Sequence, residues 1–414
     1  MPQMDELARP PASSPEPGRA SALGPEEARR AMLPLLAGYL AFGQYWGVWV
    51  ILVFDFQRYH DLSESRLGGL YTMLSLTAVA VMLVLAPRLQ RLPLSRTAPM
   101  ALLVLAVGSF VIAYQPSRLV VLGFLLVGAG NGLIDVYLNV AAQRVEVATH
   151  RPVLQWLHAS YALGGVTGAA IAGLLLVSGV DFRLGLAIAG LALVVTAVWN
   201  ARTAPSERSP EGAQTVFSIS ALFRTPALWV PALVVLFAFL VEGSMDTWSG
   251  LYLRDQLGAS AGVAAMAFIA FSGAIFLGRL FAGKVLFGLG ARTTIIVAGL
   301  GSLAGGLLAT LTDSLAVVGI AYLVLGFMIS AAAPAGFSLT EDIDEDPTSA
   351  IAAVTTVGYT GFIWSPPLLG YVAQTIDLRA AMAVIVVATV GIIAAGLLAP
   401  RGRRSPGDRA PHGA

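Results

Sequence analysis

From residue 31 to residue 399 the chain alternates long apolar stretches with short polar breaks. Each stretch holds about 20 residues, enough for a helix to cross a hydrocarbon layer of roughly 30 Å. The pattern predicts helices over residues 31–54, 66–87, 98–115, 118–143, 153–178, 182–200, 226–252, 260–285, 292–311, 314–339, 350–374 and 379–399. The longest internal polar break, Ala201 to Thr225, separates six stretches from six. The expected architecture is therefore an all-α polytopic membrane protein. An N-terminal six-helix bundle spans residues 30–200, a linker 201–225, and a C-terminal six-helix bundle 226–400. Residues 1–29 and 401–414 are polar and carry no apolar run, so they are expected to be disordered tails. The first tail does not begin basic and turn apolar, as a secretory signal would.

The two halves repeat. Pro34 with Ala41-Phe42 recurs as Pro231 with Ala238-Phe239. Arg96-Thr97 recurs as Arg292-Thr293, and Asp181-Phe182-Arg183 as Asp377-Leu378-Arg379, all at an offset of 196 or 197 residues. Matches in register favour duplication of a six-helix unit, an arrangement that places a solute site between the halves near the membrane midplane. Gly164, Gly165, Gly168 and Gly173 in the fifth stretch allow close helix approach. Gly358, Gly361, Pro366 and Pro367 make the eleventh bendable. Trp156, Trp199, Trp229 and Trp248 fall near helix ends, as in an interfacial belt, whereas Trp46, Trp49 and Trp364 lie deeper and are candidates to line a cavity.

Composition narrows the function. Only 12% of the 414 residues are charged and the net charge is +1, which offers nothing for nucleic acid. With no Cys there are neither disulfides nor thiolate metal sites, and the four His show no metal-binding spacing, so no cofactor is expected. With the N-terminus cytoplasmic, all but six of the 25 Lys and Arg fall on the inner side; the six are Arg58, Arg66, Arg118, Arg183, Arg254 and Arg379. That bias predicts both termini in the cytoplasm. Glu341, Asp342, Asp344, Glu345 and Asp346 form an acidic inner loop, read as solvated or as docking onto Arg88 or Arg91.

The few charges inside apolar stretches are the candidates for chemistry, because an ionisable side chain at that depth is costly to keep. In the fourth stretch Asn131, Asp135, Asn139 and Gln143 recur every four residues and so share one helix face. Such a stripe faces the bundle interior, as interhelical glue or as a solute contact. A carboxylate in low dielectric can cycle between protonated and ionised states, which makes Asp135 a proton-coupling candidate. In the seventh stretch Glu242 and Asp246 also share a face. Glu242 is a second protonation candidate. Asp246 lies nearer the outer mouth, as a gate or solute contact with Arg254 as a candidate partner. His158 is placed to meet Asp135 or Glu146, as a relay or as a structural hydrogen bond. Glu146 with Arg144 and Arg151 reads as an inner surface charge cluster. Gln44, Tyr45 and Trp49, with Tyr161, Tyr359 and Trp364, offer hydrogen-bonding and stacking groups for an organic solute, against core packing as the plain alternative. Gly128-Ala-Gly130-Asn-Gly132 lacks the strand of a dinucleotide loop, and Gly278-x-x-x-x-Gly283-Lys284-Val285 lacks the hydroxyl of a phosphate-binding loop. No hydrolase or other enzyme arrangement stands out.

Longer strings point to a family. Gly128-Ala-Gly-Asn-Gly-Leu-Ile-Asp135-Val-Tyr-Leu-Asn139 leads on to Leu157-His158-Ala-Ser-Tyr161-Ala-Leu-Gly164-Gly165. The seventh stretch reads Glu242-Gly-Ser-Met-Asp246-Thr-Trp248-Ser-Gly-Leu-Tyr252-Leu-Arg254, the eighth ends Gly278-Arg279-Leu-Phe-Ala-Gly283-Lys284, and the eleventh carries Val357-Gly358-Tyr359-Thr-Gly361-Phe362. Over about residues 30–400 the chain resembles the major facilitator superfamily, and within it the YbjJ-like group near the fucose:proton symporters. The resemblance implies the major facilitator fold. It also implies a proton-coupling role for Asp135, since a carboxylate at the corresponding place in helix 4 serves that role in fucose-symporter-like proteins. Gly283 stands where the family's loop motif has an Asp, the loop after the second helix lacks that Asp too, and the fifth helix lacks the Pro of drug:proton antiporters.

The expected function is a proton-coupled secondary transporter of a small organic solute, working by alternating access as a monomer in the inner cell membrane. The alternatives are a metabolite or drug exporter on the same fold and a non-transporting membrane receptor. If the family arrangement holds, Gln44, Asn131, Asp135, Asn139, Glu242 and Tyr359 surround one central water-filled cavity.

Overall fold

The first helix begins earlier than its apolar stretch. In the computed structural model it runs Pro25–Tyr59 (α1), so residues 25–29, expected in a disordered tail, are helical. Pro25 opens the helix at a position where its missing N–H costs nothing, and Glu26 and Glu27 meet the positive end of the helix dipole. The structure describes residues 25–85, 88, 92–114, 119–149, 151, 153–203, 220–343 and 347–400. Several expectations lie outside the described residues. They concern both chain ends, most of the linker, Arg91, Arg118, Asp344, Glu345 and Asp346, and the side chains of Gln143, Glu341 and Asp342.

Among the described residues α1 is the first of twelve long helical spans. The next are α2 (Glu64–Ala80, continued by a π turn, Val81–Leu85), α3 (Leu94–Tyr114), α4 (Val120–Thr149), α5 (Val153–Val177) and α6 (Phe182–Thr203). A short helix, Ser220–Arg224, precedes α7 (Trp229–Leu251), which ends in a second π turn, Tyr252–Gln256. Then come α8 (Ala261–Leu289), α9 (Ala291–Thr310), α10 (Leu315–Ile329 and, after a break, Ala332–Ile343), α11 (Pro347–Thr375) and α12 (Leu378–Leu398). Eleven of these are long and apolar enough to cross a membrane. The exception is α11, which carries Thr355, Thr356, Tyr359, Thr360 and two prolines along its length. No strand occurs among the described residues.

Side chains set the helix ends. Ser63 accepts from the Arg66 amide at 3.3 Å to start α2, and Asp377 accepts from the Ala380 amide at 2.6 Å to start α12. Gly290, at φ +75°, turns α8 into α9 with a single residue, a conformation open to glycine at no steric cost. Glu146 accepts from the Leu154 amide at 2.9 Å, capping α5. Its expected cluster with Arg144 and Arg151 is not formed among the described residues, because the carboxylate is spent on this cap.

The internal repeat reappears in the packing. A Cβ at Gly164 in α5 would run into the Leu40 carbonyl oxygen and the Gln44 nitrogen of α1. A Cβ at Gly361 in α11 would run into the Leu236 carbonyl oxygen and the Leu240 nitrogen of α7. The two contacts are related residue by residue at the offset seen in the sequence, so α1 meets α5 in one half as α7 meets α11 in the other. Glycine at both places lets the helix backbones touch.

The halves press together at the end remote from the chain termini. Arg254 forms an ion pair with Asp55 and stacks over the Phe54 ring at 4.3 Å. The Tyr71 hydroxyl donates to the Thr247 carbonyl at 3.1 Å, and the Ser65 amide to the Gln374 side-chain oxygen at 3.3 Å. Gly68 of α2 meets Gly370 of α11 backbone to backbone. This far-end seal buries Trp248 completely against Tyr71, so Trp248 belongs to no interfacial belt.

Candidate functional site

Between the halves lies a cavity of about 270 Å³. Its walls come from α1, α2, α4 and α5 on one side and α7, α8 and α11 on the other. It extends toward the end that carries the termini, reaching Met82 and Leu83 in the π turn of α2. Phe42 and Phe239, repeat-related residues on α1 and α7, both line it.

On the N-terminal side the polar groups form a chain. The Trp46 indole donates to the Asn131 side-chain oxygen at 3.3 Å, and the Asn131 amide donates to Asp135 Oδ2 at 3.2 Å. The helical four-residue spacing makes the second bond possible. Among the described residues no cation stands within ion-pair distance of Asp135. One turn on, Asn139 donates to the Asp135 backbone carbonyl at 2.7 Å and to the Tyr39 hydroxyl. Asn139 is thus committed to interhelical bonding and does not line the cavity, contrary to the solute-contact expectation.

The C-terminal side is built differently. Glu242 is 8% exposed, and its Oε2 lies 2.9 Å from an Arg279 guanidinium nitrogen. The second terminal nitrogen of Arg279 donates to the His158 carbonyl oxygen at 3.3 Å, across the boundary between the halves. Asp246, one turn above Glu242, accepts the Tyr161 hydroxyl at 3.0 Å, again across the boundary. It does not pair with Arg254. Eight helical residues separate the two by about 12 Å along the axis, and Arg254 is held by Asp55 instead.

The expected constellation is therefore assembled in part. Asn131, Asp135, His158, Tyr161, Glu242, Asp246 and Tyr359 converge on the cavity. Gln44 and Tyr45 do not: the backbone of Gln44 is pressed against Gly164 and Gly168, and Tyr45 is buried edge-on against Trp46. Trp49 is buried and donates to Tyr71 at 2.7 Å. Trp364 is not part of the cavity wall and is 61% exposed. His158 lines the cavity with its ring edge-on to Tyr39 at 5.7 Å and forms no ion pair with Asp135 or Glu146 among the described residues. The sequence reading missed Arg279 as a partner. Its signal was a lone cation a turn inside an apolar stretch, a costly position that calls for a buried counter-ion. The three glycines Gly128, Gly130 and Gly132 pack α4 on α2 and α3, which accounts for them without a nucleotide.

Residues 35–365 match the profile of the Major Facilitator Superfamily. An uncharacterised MFS-type transporter of Yersinia pestis is 30% identical over 285 residues, covering 68% of this chain and 72% of its own. Among solved structures, a bacterial homologue of the human lysosomal transporter Spinster, inward-facing and unoccupied, superposes with a TM-score of 0.70 at 15% identity, over 90% of this chain and 97% of that one. The E. coli fucose:proton symporter FucP superposes with a TM-score of 0.61 at 15% identity, over 90% and 98%. At such identities these two likenesses establish the fold alone.

Proposed function

Because the chain belongs to the major facilitator superfamily, and is thus a multi-pass membrane transporter, we propose that it couples proton movement to transport of a small organic solute. The observation that carries this reading is Asp135: a carboxylate in the cavity wall, held by the neutral Asn131 amide, with no cation within ion-pair distance among the described residues. Such a group changes charge without leaving a buried partner unpaired. FucP, a fucose:proton symporter by name, shares the fold and supports proton coupling by analogy.

The far-end seal and the cavity's reach toward the termini correspond to an inward-facing state, with both termini cytoplasmic. One chain supplies both walls of the cavity, which supports a monomer as the working unit. Alternating access then requires the Asp55–Arg254 pair and the Tyr71–Thr247 bond to part while a new seal forms at the terminal end.

A thermal-shift screen on the purified protein, followed by flux into liposomes with and without a pH gradient, tests the reading. A proton gradient should drive accumulation of a stabilising solute, and Asp135→Asn should abolish it while exchange persists, since Asn keeps size and polarity but cannot titrate. Accumulation by the variant at the wild-type level would remove Asp135 from the coupling role.

A further inference from the structure

The cavity also carries information about the charge of what it binds. Three carboxylates face it, Asp135, Glu242 and Asp246, against one guanidinium, Arg279. That guanidinium is already engaged, by Glu242 at 2.9 Å and by the His158 carbonyl at 3.3 Å. An organic anion entering here would have to take Arg279 from Glu242, leaving a carboxylate buried without its partner.

Asp246 is arranged to receive a cation. The Tyr161 hydroxyl fixes Oδ2 at 3.0 Å, while Oδ1 has no protein donor among the described residues. The Tyr161 ring lies 5.4 Å from that of Phe42, and both rings line the same cavity as Asp246. On the opposite wall Phe239 packs 5.7 Å from Tyr359. A carboxylate that shares a cavity with aromatic rings is the combination that recognises an ammonium group on an apolar or ring-bearing body.

We propose that the central cavity takes a small organic cation, a protonated amine or quaternary ammonium, with Asp246 as its counter-ion and the Phe42 and Tyr161 rings beside it. This rests on the reading of the cavity as the solute site. Asp135 remains free for the proton, and the three carboxylates take separate roles. Asp135 titrates, Asp246 binds the solute, and Glu242 holds Arg279.

The chain has no Cys, so Thr360→Cys on the cavity wall gives a single reporter. Labelling by a membrane-impermeant maleimide is followed in inside-out vesicles with matched probes. Benzylammonium, benzyltrimethylammonium and adamantylammonium are set against benzyl alcohol, benzoate and adamantane carboxylate. The ammonium probes should slow labelling by about tenfold relative to the carboxylates, the size of one charge-assisted contact. Asp246→Asn should remove that difference. Equal protection by neutral or anionic probes, or protection by none, overturns the cation assignment and leaves the transporter reading standing, because the reporter is still reached from water. No labelling at all would overturn both.

Discussion

Asp135 and Glu242 lie in opposite halves of one cavity and meet opposite electrostatics. Asp135 is held by a neutral amide and, among the described residues, has no cation within ion-pair distance, whereas Glu242 is fixed to Arg279 at 2.9 Å. The helix scaffold repeats across the halves, down to the glycine contacts of Gly164 and Gly361. The charges do not. At the repeat offset, Glu242 falls on Tyr45 or Trp46, Arg279 on Met82 or Leu83, and Asp135 on Ala331 or Ala332 at the break in α10. A duplicated frame thus sets a carboxylate without a cation in one half against an ion-paired one in the other. Neutralising a paired carboxylate strands its partner, which is the reason the proposed proton site is Asp135 and not Glu242.

The largest effect should come from breaking that contrast at Asp135. Asp135→Asn should cut gradient-driven accumulation to background with little change in thermal stability, because it removes no ion pair. Arg279→Met should do the reverse in stability. It leaves the Glu242 carboxylate buried and unpaired, a change that costs about 3–5 kcal/mol where it has been measured. Thermal unfolding of the detergent-solubilised protein should fall by several degrees, and adding Glu242→Gln should recover most of the loss. If Arg279→Met melts with the wild type, the pair does not hold α7 to α8.

Much of this architecture was legible in the sequence. Twelve apolar stretches become twelve helical spans among the described residues, and the repeat offset reappears in the paired glycine contacts of Gly164 and Gly361. The polar stripe of the fourth stretch does point inward at Asn131 and Asp135. Partnership was harder to read. Nothing in the order of residues says that Arg279, 37 positions on, reaches back to Glu242, or that Arg254 crosses to Asp55, 199 positions away. Periodicity assigns a residue to a face of its own helix, and the partner depends on how two helices are rotated against each other. Asn139 illustrates the limit: it shares a face with Asp135 yet spends its amide on Tyr39 and a backbone carbonyl.

Ion pairs within and across the halves should also differ in kinetics. Glu242–Arg279 joins α7 to α8 inside one half and survives any rigid rocking of the halves. Asp55–Arg254 joins α1 to α7 across them and cannot. With its side chains 12% and 27% exposed, the second pair is partly screened. Asp55→Asn should therefore favour the far-end-open state by about 1 kcal/mol, roughly fivefold in population. A cysteine at Thr247, behind the seal, should be labelled faster from the far side in that background. Unchanged labelling would mean that the remaining far-end contacts, Tyr71–Thr247, Ser65–Gln374 and Gly68–Gly370, keep that end shut without the ion pair.

The smallest effect is expected at Trp364, and it sharpens the boundary of the cavity. An aromatic residue deep in a transporter helix is an attractive solute contact from sequence alone. On α11, however, Trp364 follows Tyr359 by five residues, which places it about 140° around the helix axis. Tyr359 lines the cavity, while Trp364 is absent from its wall and 61% exposed. Exchange for another apolar side chain removes no hydrogen bond and opens no internal space. Trp364→Leu should keep transport within about twofold of wild type, the ordinary range for surface changes of a few tenths of a kcal/mol. Tyr359→Leu, one and a half turns away but facing inward, should lower it further. Equal losses at both positions would mean that α11 turns about its axis during transport, bringing Trp364 into the cavity in the opposite state.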